Sequence, residues 1–153
     1  YIYLNMVKAL IGAGCFWGIE EYFRKIEGIT DTKVGYSGGK TANPSYEEVC
    51  AGETDHAEVL QINFDENKIA FQEIINHFWK CHDPTQLNRQ GPDVGRQYRS
   101  VIYYLSKEQK DIAIESKKQA QVSLSKLIVT EIIEAKVFYL AEDYHQLFIK
   151  KRE

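Results

Sequence analysis

Strand-like and helix-like stretches alternate along this chain, and that alternation limits what it can fold into. Lys8 to Ala13 is an apolar run of strand length. A Gly12-Ala13-Gly14 turn follows, and then the period changes. Ile19, Tyr22, Phe23 and Ile26 fall at i, i+3, i+4 and i+7, one face of a helix over about residues 16–26 that Gly28 stops. Ile29 to Tyr36 reads as a second strand, leading into the loop SGGKTAN. In NPSYEEVCAG, Asn43 can cap and Pro44 can open a short helix ending near Gly52. Glu58 to Phe64 alternates as a strand does. Ala70 to Lys80 puts Phe71, Ile74, Ile75 and Phe78 on one helix face. The polar stretch HDPTQLNRQGPDVGRQYR, residues 82–99, reads as a long loop of the kind that often carries function. Val101 to Leu105 (strand), Lys107 to about Leu124 (helix), Leu127 to Ile133 (strand) and Ala141 to the end (helix) complete the pattern. The expected architecture is α/β (α+β): one two-layer sandwich of a mixed β-sheet covered by helices, with a ferredoxin-like core.

The chain has 153 residues and is 44% hydrophobic, enough for one core, so residues 1–153 are expected to form a single domain. A net charge of -3 gives no footprint for nucleic acid or a membrane surface, and no apolar run reaches the length of a transmembrane helix. The start YIYLNMVKAL lacks a basic n-region and a clean apolar core, so no signal peptide is expected. Met6 is the only methionine and a candidate natural start, with Tyr1 to Asn5 then a disordered extension or added residues. Three scattered cysteines, Cys15, Cys50 and Cys81, make no disulfide scaffold. Free thiols in a reducing cytoplasm are expected.

Cys15 lies at a strand-to-helix turn, where backbone N–H groups and the helix dipole favour thiolate over thiol. Flanking Gly14 and Gly18 let other groups approach closely. An isolated cysteine is more often a small buried hydrophobe; the turn and the helix start favour a nucleophile here. Phe16 and Trp17 can both be core aromatics, but adjacent helix positions diverge by about 100°, so one should face the thiol's side. An apolar wall there suits a substrate methyl group. On an alternating strand Glu58 shares a face with Leu60, Ile62 and Phe64. Buried there, its carboxyl would stay protonated near neutrality and serve as a general acid; the plain alternative is a strand-end glutamate reaching water. Context alone singles out Tyr46 and Tyr98 among 10 tyrosines. Asp93 is equally a turn residue. His77, Cys81, His82 and Asp83 lack the paired spacing of a zinc site, and neither a Walker A nor a dinucleotide fingerprint is present.

Taken together, GCFWG (14–18), GYSGG (35–39), NPSYEEVCAGETDHAE (43–58), FWKCHDPTQLNRQGPDVGRQYRS (78–100) and FYLAEDYHQ (138–146) resemble the A-type peptide methionine sulfoxide reductases. The motifs occur in that family's order over nearly the whole chain. The resemblance implies reduction of the S epimer of methionine sulfoxide, free or in proteins, as repair of oxidative damage. It implies that Cys15 attacks the sulfoxide sulfur, that Phe16 and Trp17 hold the methyl group, and that Glu58 protonates the oxygen. It implies too that Tyr46 and Tyr98 hydrogen-bond that oxygen and that Asp93 orders the site. The sulfenic acid left on Cys15 must be reduced by a thiol. No cysteine follows Cys81, so Cys50 and Cys81 are the internal candidates for resolving it, ordinary packing being the plainer reading of both. An external thiol (thioredoxin, glutaredoxin or glutathione) is the expected reductant, with no metal or organic cofactor and a monomeric enzyme. Asp55 stands where the family more often has glycine. Two other readings compete: a cysteine hydrolase with His56, His82 or His145 as base, and a module that binds oxidised methionine without turnover.

Overall fold

The computed structural model describes residues 6–153; Tyr1 to Asn5, read above as an extension, lie outside the described residues. The elements are β1 (Met6–Ala13), α1 (Phe16–Arg24), β2 (Ile29–Ser37), α2 (Tyr46–Cys50), β3 (Ala57–Asp65), α3 (Phe71–Lys80), β4 (Arg89–Gln90), β5 (Asp93–Val94), β6 (Ser100–Tyr104), α4 (Lys107–Val122), β7 (Glu131–Glu134) and β8 (Tyr139–Leu140).

Six strands form one mixed sheet in the order β7-β6-β1-β3-β2-β8. β1 pairs antiparallel with β3 and β6, and β2 antiparallel with β3 and β8, while β6 and β7 are parallel. The central four, β6-β1-β3-β2, are the antiparallel arrangement made by two interlocked β-α-β units, the ferredoxin-like core. β1-α1-β2 is one unit and β3-α3-β6 the other.

Strand alternation then decides what each face buries. Ala9, Ile11, Leu60, Ile62 and Phe64 meet Phe16, Ile19 and Phe23 of α1 and Ile74, Ile75 and Phe78 of α3 in the main core. Each such large side chain, fully buried, contributes roughly 1.5–3 kcal/mol. Leu10, Ala57, Val59, Val101 and Tyr103 face the other way, under Ala135 and Phe138. Glu58 falls in the helix-side register with Leu60, and is 1% exposed.

Four local expectations are corrected. Helix α2 is capped by Ser45, not Asn43: the Ser45 hydroxyl accepts from Glu48 N–H (3.2 Å) and Glu48 accepts from Ser45 N–H (2.9 Å). This reciprocal S-x-x-E pair satisfies two donors where Asn43 could satisfy one. The loop over 82–99 contains a small hairpin, β4 with β5 around Gly91-Pro92, and a single turn of 3₁₀ helix at Arg96–Tyr98. β7 starts at Glu131 rather than Leu127, because Ile128 N–H donates to the Gln121 side chain and Val129 N–H to the Pro84 carbonyl.

Finally, no helix forms from Ala141 onward. Single 3₁₀ turns stand at Asp143–His145 and Lys150–Arg152. Besides short-range bonds within the segment, its polar groups bond to the sheet and to α1. Gln146 bridges Val34 N–H and C=O (both 2.9 Å), and Leu147 N–H donates to Glu20 (2.7 Å). Tertiary partners override a helical pattern that polar side chains support only weakly.

Candidate active site

Cys15 is the N-cap of α1, directly beyond β1. The chain turns there through Gly14, at φ +97°, a conformation that suits glycine; a Cβ at Gly14 would also lie 2.9 Å from Cβ of Gln90. Gly18, by contrast, has nothing within 4 Å of where its Cβ would stand, so packing does not require glycine there. Burial pushes the Cys15 thiol up to about 11; the Trp17 and Gly18 N–H groups oppose the rise, and the charges of Glu58 and Asp93 add to it. The helix start does present donors to the sulfur, as its position predicts. Desolvation outweighs them, because a helix terminus supplies only about 0.3–1 kcal/mol at such a site. The expectation of a thiolate in the free site is therefore corrected.

Glu58 reaches the same place from β3. Its Oε1 accepts from Phe16 N–H at 3.2 Å, one residue beyond Cys15. Its Oε2 is buried with no partner. Burial pushes this carboxyl up to about 8, Phe16 N–H lowering it and the Asp93 charge raising it further. A buried carboxyl with one oxygen committed and one bare has a proton to give and nothing to give it to. Asp93, on β5, is within electrostatic reach of both the Cys15 thiol and the Glu58 carboxyl.

The raised pKa has a consequence for stability. The unfolded chain releases this proton near 4.5, and the folded chain holds it to about 8. Within that window the unfolded state binds fewer protons, so stability falls as pH rises. Glu58→Gln removes that slope while its amide oxygen can still accept from Phe16 N–H. Between pH 5 and pH 8 the variant is expected to gain on the parent by a few kcal/mol, on the order of the 1.36 kcal/mol per pKa unit. Thermal melts at the two pH values check this; parallel curves would refute it.

Aromatic side chains close the site. Phe16 is buried, its ring 5.7 Å from Tyr36 and 5.3 Å from His145. Trp17 is half-buried; its Nε1–H donates to His145 Nδ1 at 2.9 Å and its ring stacks on Phe148 at 3.7 Å. Tyr46, at the start of α2, lies 4.4 Å from the His145 ring and 6.4 Å from Trp17. Burial, with Glu58 nearby, raises the pKa of both Tyr46 and Tyr98, so their hydroxyls remain protonated donors. Cys15, Glu58, Asp93, Tyr46, Tyr98, Phe16 and Trp17 thus come together from β1–α1, β3, the hairpin, the 3₁₀ turn and α2.

The other two thiols differ. Cys50 is exposed beside Tyr46 and electrostatically close to Glu58. Cys81 ends α3, donates to the Phe78 carbonyl at 3.2 Å, and is pushed up to about 12 by burial. Asp55 adopts φ +59°, which explains why glycine suits this position. Its carboxylate pairs with Arg96 Nε at 2.5 Å and its carbonyl accepts from Arg99 at 3.0 Å. It therefore ties the start of β3, which bears Glu58, to the turn that bears Tyr98. Sequence reasoning did not find Glu142, which accepts from the Tyr36 hydroxyl (2.8 Å) and Tyr46 N–H (2.9 Å), or His145 and Phe148 as supports of Trp17. The available signal was the polar run AEDYHQ, which interrupts any helical face.

The histidines argue against hydrolysis. His56 accepts from Gly39 N–H and donates to the Thr41 carbonyl. His82 donates to the Phe78 carbonyl, so its other nitrogen accepts from Ser100. His145 accepts from Trp17 through Nδ1, which leaves its proton on Nε2. None of the three has a nitrogen free to take the Cys15 proton.

A thiol beside a carboxyl held neutral suits removal of an oxygen that leaves only once protonated. Fold and site together suit a thiol-dependent reductase of that kind. The family model described as "Peptide methionine sulfoxide reductase" matches residues 7–153, and the chain belongs to that family. It is 53% identical over 146 residues to the peptide methionine sulfoxide reductase MsrA of Methanothermobacter thermautotrophicus, covering 94% of this chain and 86% of the relative. The crystal structure of Mxr1 from Saccharomyces cerevisiae in reduced form superposes with a TM-score of 0.93 at 38% identity, covering 99% of this chain and 88% of that one. Mxr1 in complex with Trx2 superposes with a TM-score of 0.69 at 27% identity, over 97% and 88% of the two chains. The protein is an oxidoreductase of the A type, a peptide-methionine (S)-S-oxide reductase.

Proposed function

We propose that Cys15 is the nucleophile and Glu58 the proton donor in the reduction of methionine S-sulfoxide. The observation that carries this is the bare Oε2 of Glu58, buried with no partner on a carboxyl whose other oxygen is tied to the residue after Cys15. Cys15 sulfur attacks the sulfoxide sulfur and takes over its oxygen. The substrate S–O bond breaks, an S–O bond to Cys15 forms, the substrate sulfur is reduced by two electrons and Cys15 is oxidised by two. Glu58 gives its proton to the oxygen, and the proton lost by the thiol balances it. Phe16 and Trp17 hold the methyl group, Tyr46 and Tyr98 donate to the oxygen, and Asp93 orders the pair.

In the free site the thiol titrates above the carboxyl, so thiolate with neutral acid is the minor arrangement of their protons. A bound sulfoxide oxygen, accepting from Oε2–H, selects that arrangement.

A second thiol then attacks the Cys15 sulfenic acid, forming a disulfide and releasing water, and a further thiol restores Cys15. The complex of Mxr1 with Trx2 supports a thioredoxin-type reductant; glutaredoxin or glutathione would do the same chemistry. Of the internal thiols, the exposure of Cys50 beside Tyr46 favours it over Cys81 as a partner. One chain supplies every group named, from both sheets, two helices and a 3₁₀ turn, which supports a monomeric single catalytic domain, and three free thiols support a reducing, cytoplasmic setting.

Separate S and R epimers with excess dithiothreitol test the reading. Methionine from the S epimer alone is expected. No turnover of the S epimer, free or in a peptide, would end it. Binding of the sulfoxide without turnover would favour the binding module instead.

A further inference from the structure

The pocket wall at Trp17 is held by a device that the chemical steps leave unused. Glu20 lies on α1, one turn after Trp17, and is 1% exposed. Both of its oxygens are taken: Oε2 accepts from the Thr32 hydroxyl and Oε1 from Leu147 N–H, each at 2.7 Å. No arginine or lysine forms an ion pair with it among the described residues; Arg24, on the same helix, bonds Glu21 and Glu153 instead. A buried carboxyl held only by neutral donors is a costly choice for packing alone.

Its second partner is unusual. Leu147 has φ +52°, a left-handed conformation that a branched side chain avoids unless its surroundings force it. The residues on either side of this turn are those that touch Trp17. His145 accepts its indole N–H. Phe148 lies flat on its ring, 3.7 Å away with 6° between planes, and the Arg152 guanidinium covers Phe148 at 3.3 Å. Gln146 anchors the same turn to β2 through Val34.

We propose that Glu20 is a positioning residue for the methyl pocket: by holding Leu147 in its left-handed turn it sets Phe148 and His145 against Trp17. The proposal rests on Trp17 as a wall of the substrate site. Freed from Glu20, Leu147 relaxes toward ordinary backbone angles, Phe148 leaves the indole, and the wall loosens. Substrate and transition state lose the same contact, so KM rises while turnover at saturation stays.

The test compares Glu20→Ala, Glu20→Asp, Glu20→Gln and Thr32→Val, all in a Trp79→Phe background so that Trp17 alone emits. Glu20→Ala and Glu20→Asp, which withdraw the acceptor from Leu147, are expected to raise KM for the S-sulfoxide about tenfold, the scale on which an apolar pocket senses a small group. Both should move Trp17 emission to the red without substrate present. Glu20→Gln keeps an acceptor for Leu147 and should restore both readouts. Thr32→Val removes the other bond and should lower the melting temperature while leaving KM and emission in place. Should Glu20→Ala fail to fold, Glu20→Asp carries the comparison. Unchanged KM and emission in the alanine and aspartate variants, or equal shifts in Thr32→Val, would overturn the proposal. The emission readout needs no turnover, so it stands apart from a failure of the reductase reading itself.

Discussion

Glu58→Gln is expected to slow sulfoxide reduction by ~10²–10⁴-fold near neutral pH, the usual contribution of one well-placed general acid. The amide matches the carboxyl in shape, and its oxygen can keep the bond from Phe16 N–H. It cannot release a proton, so the sulfoxide oxygen must leave with only tyrosine donors to help it. The pH profile makes the loss diagnostic. In the parent, Glu58 and Cys15 together hold two protons below about 8 and one between about 8 and 11. The reacting arrangement, thiolate with neutral acid, also holds one. So kcat/KM of the parent should rise with pH to about 8 and then level. In Glu58→Gln only the thiol titrates, and kcat/KM should keep climbing past that point, narrowing the gap. Rapid-mixing measurements of methionine release from pH 6 to 10 decide it. A variant within twofold of the parent at pH 7, or two profiles of the same shape, would remove Glu58 as the acid.

Why the face shared by Glu58 was legible, while its burial and the Cys15 thiol pKa were not, is a matter of range. Alternation in EVLQINF places Glu58 on the face of Leu60 and Ile62, because strand geometry is local. The same local logic finds the Cys15 turn and the donors at Trp17 and Gly18. It fails on the extent of burial and on the charges of Glu58 from β3 and Asp93 from the hairpin, both set only once the chain has folded. Alternating strand and helix signals predict one mixed sheet covered by helices, but not its strand order, which long-range pairing sets. Nor do they predict the segment from Ala141 onward, since its conformation is dictated by Glu20, Val34 and Tyr36. Asp55 is similar: a residue at odds with its own backbone angle is intelligible only with Arg96 and Arg99 beside it.

The largest effect is expected from Cys15→Ser, which should abolish turnover while leaving binding of the S-sulfoxide intact. Serine fits the N-cap as well as cysteine does, and the variant leaves Glu58, Phe16 and Trp17 untouched. What it removes is an acceptor for the oxygen. Transfer to sulfur makes a sulfenic acid, whereas transfer to a serine hydroxyl would make an O–O bond, a far weaker product, and the hydroxyl is also much the poorer nucleophile. The parent without reductant should release one methionine per chain and stop, and dimedone, which traps sulfenic acids, should then label Cys15. If Cys50 has already closed a disulfide with Cys15, dimedone will find nothing until Cys50→Ser restores the label. Intact-mass spectrometry separates these outcomes. Continued methionine formation by Cys15→Ser, or burst chemistry that marks Cys50 or Cys81 in place of Cys15, would mean that the nucleophile lies elsewhere.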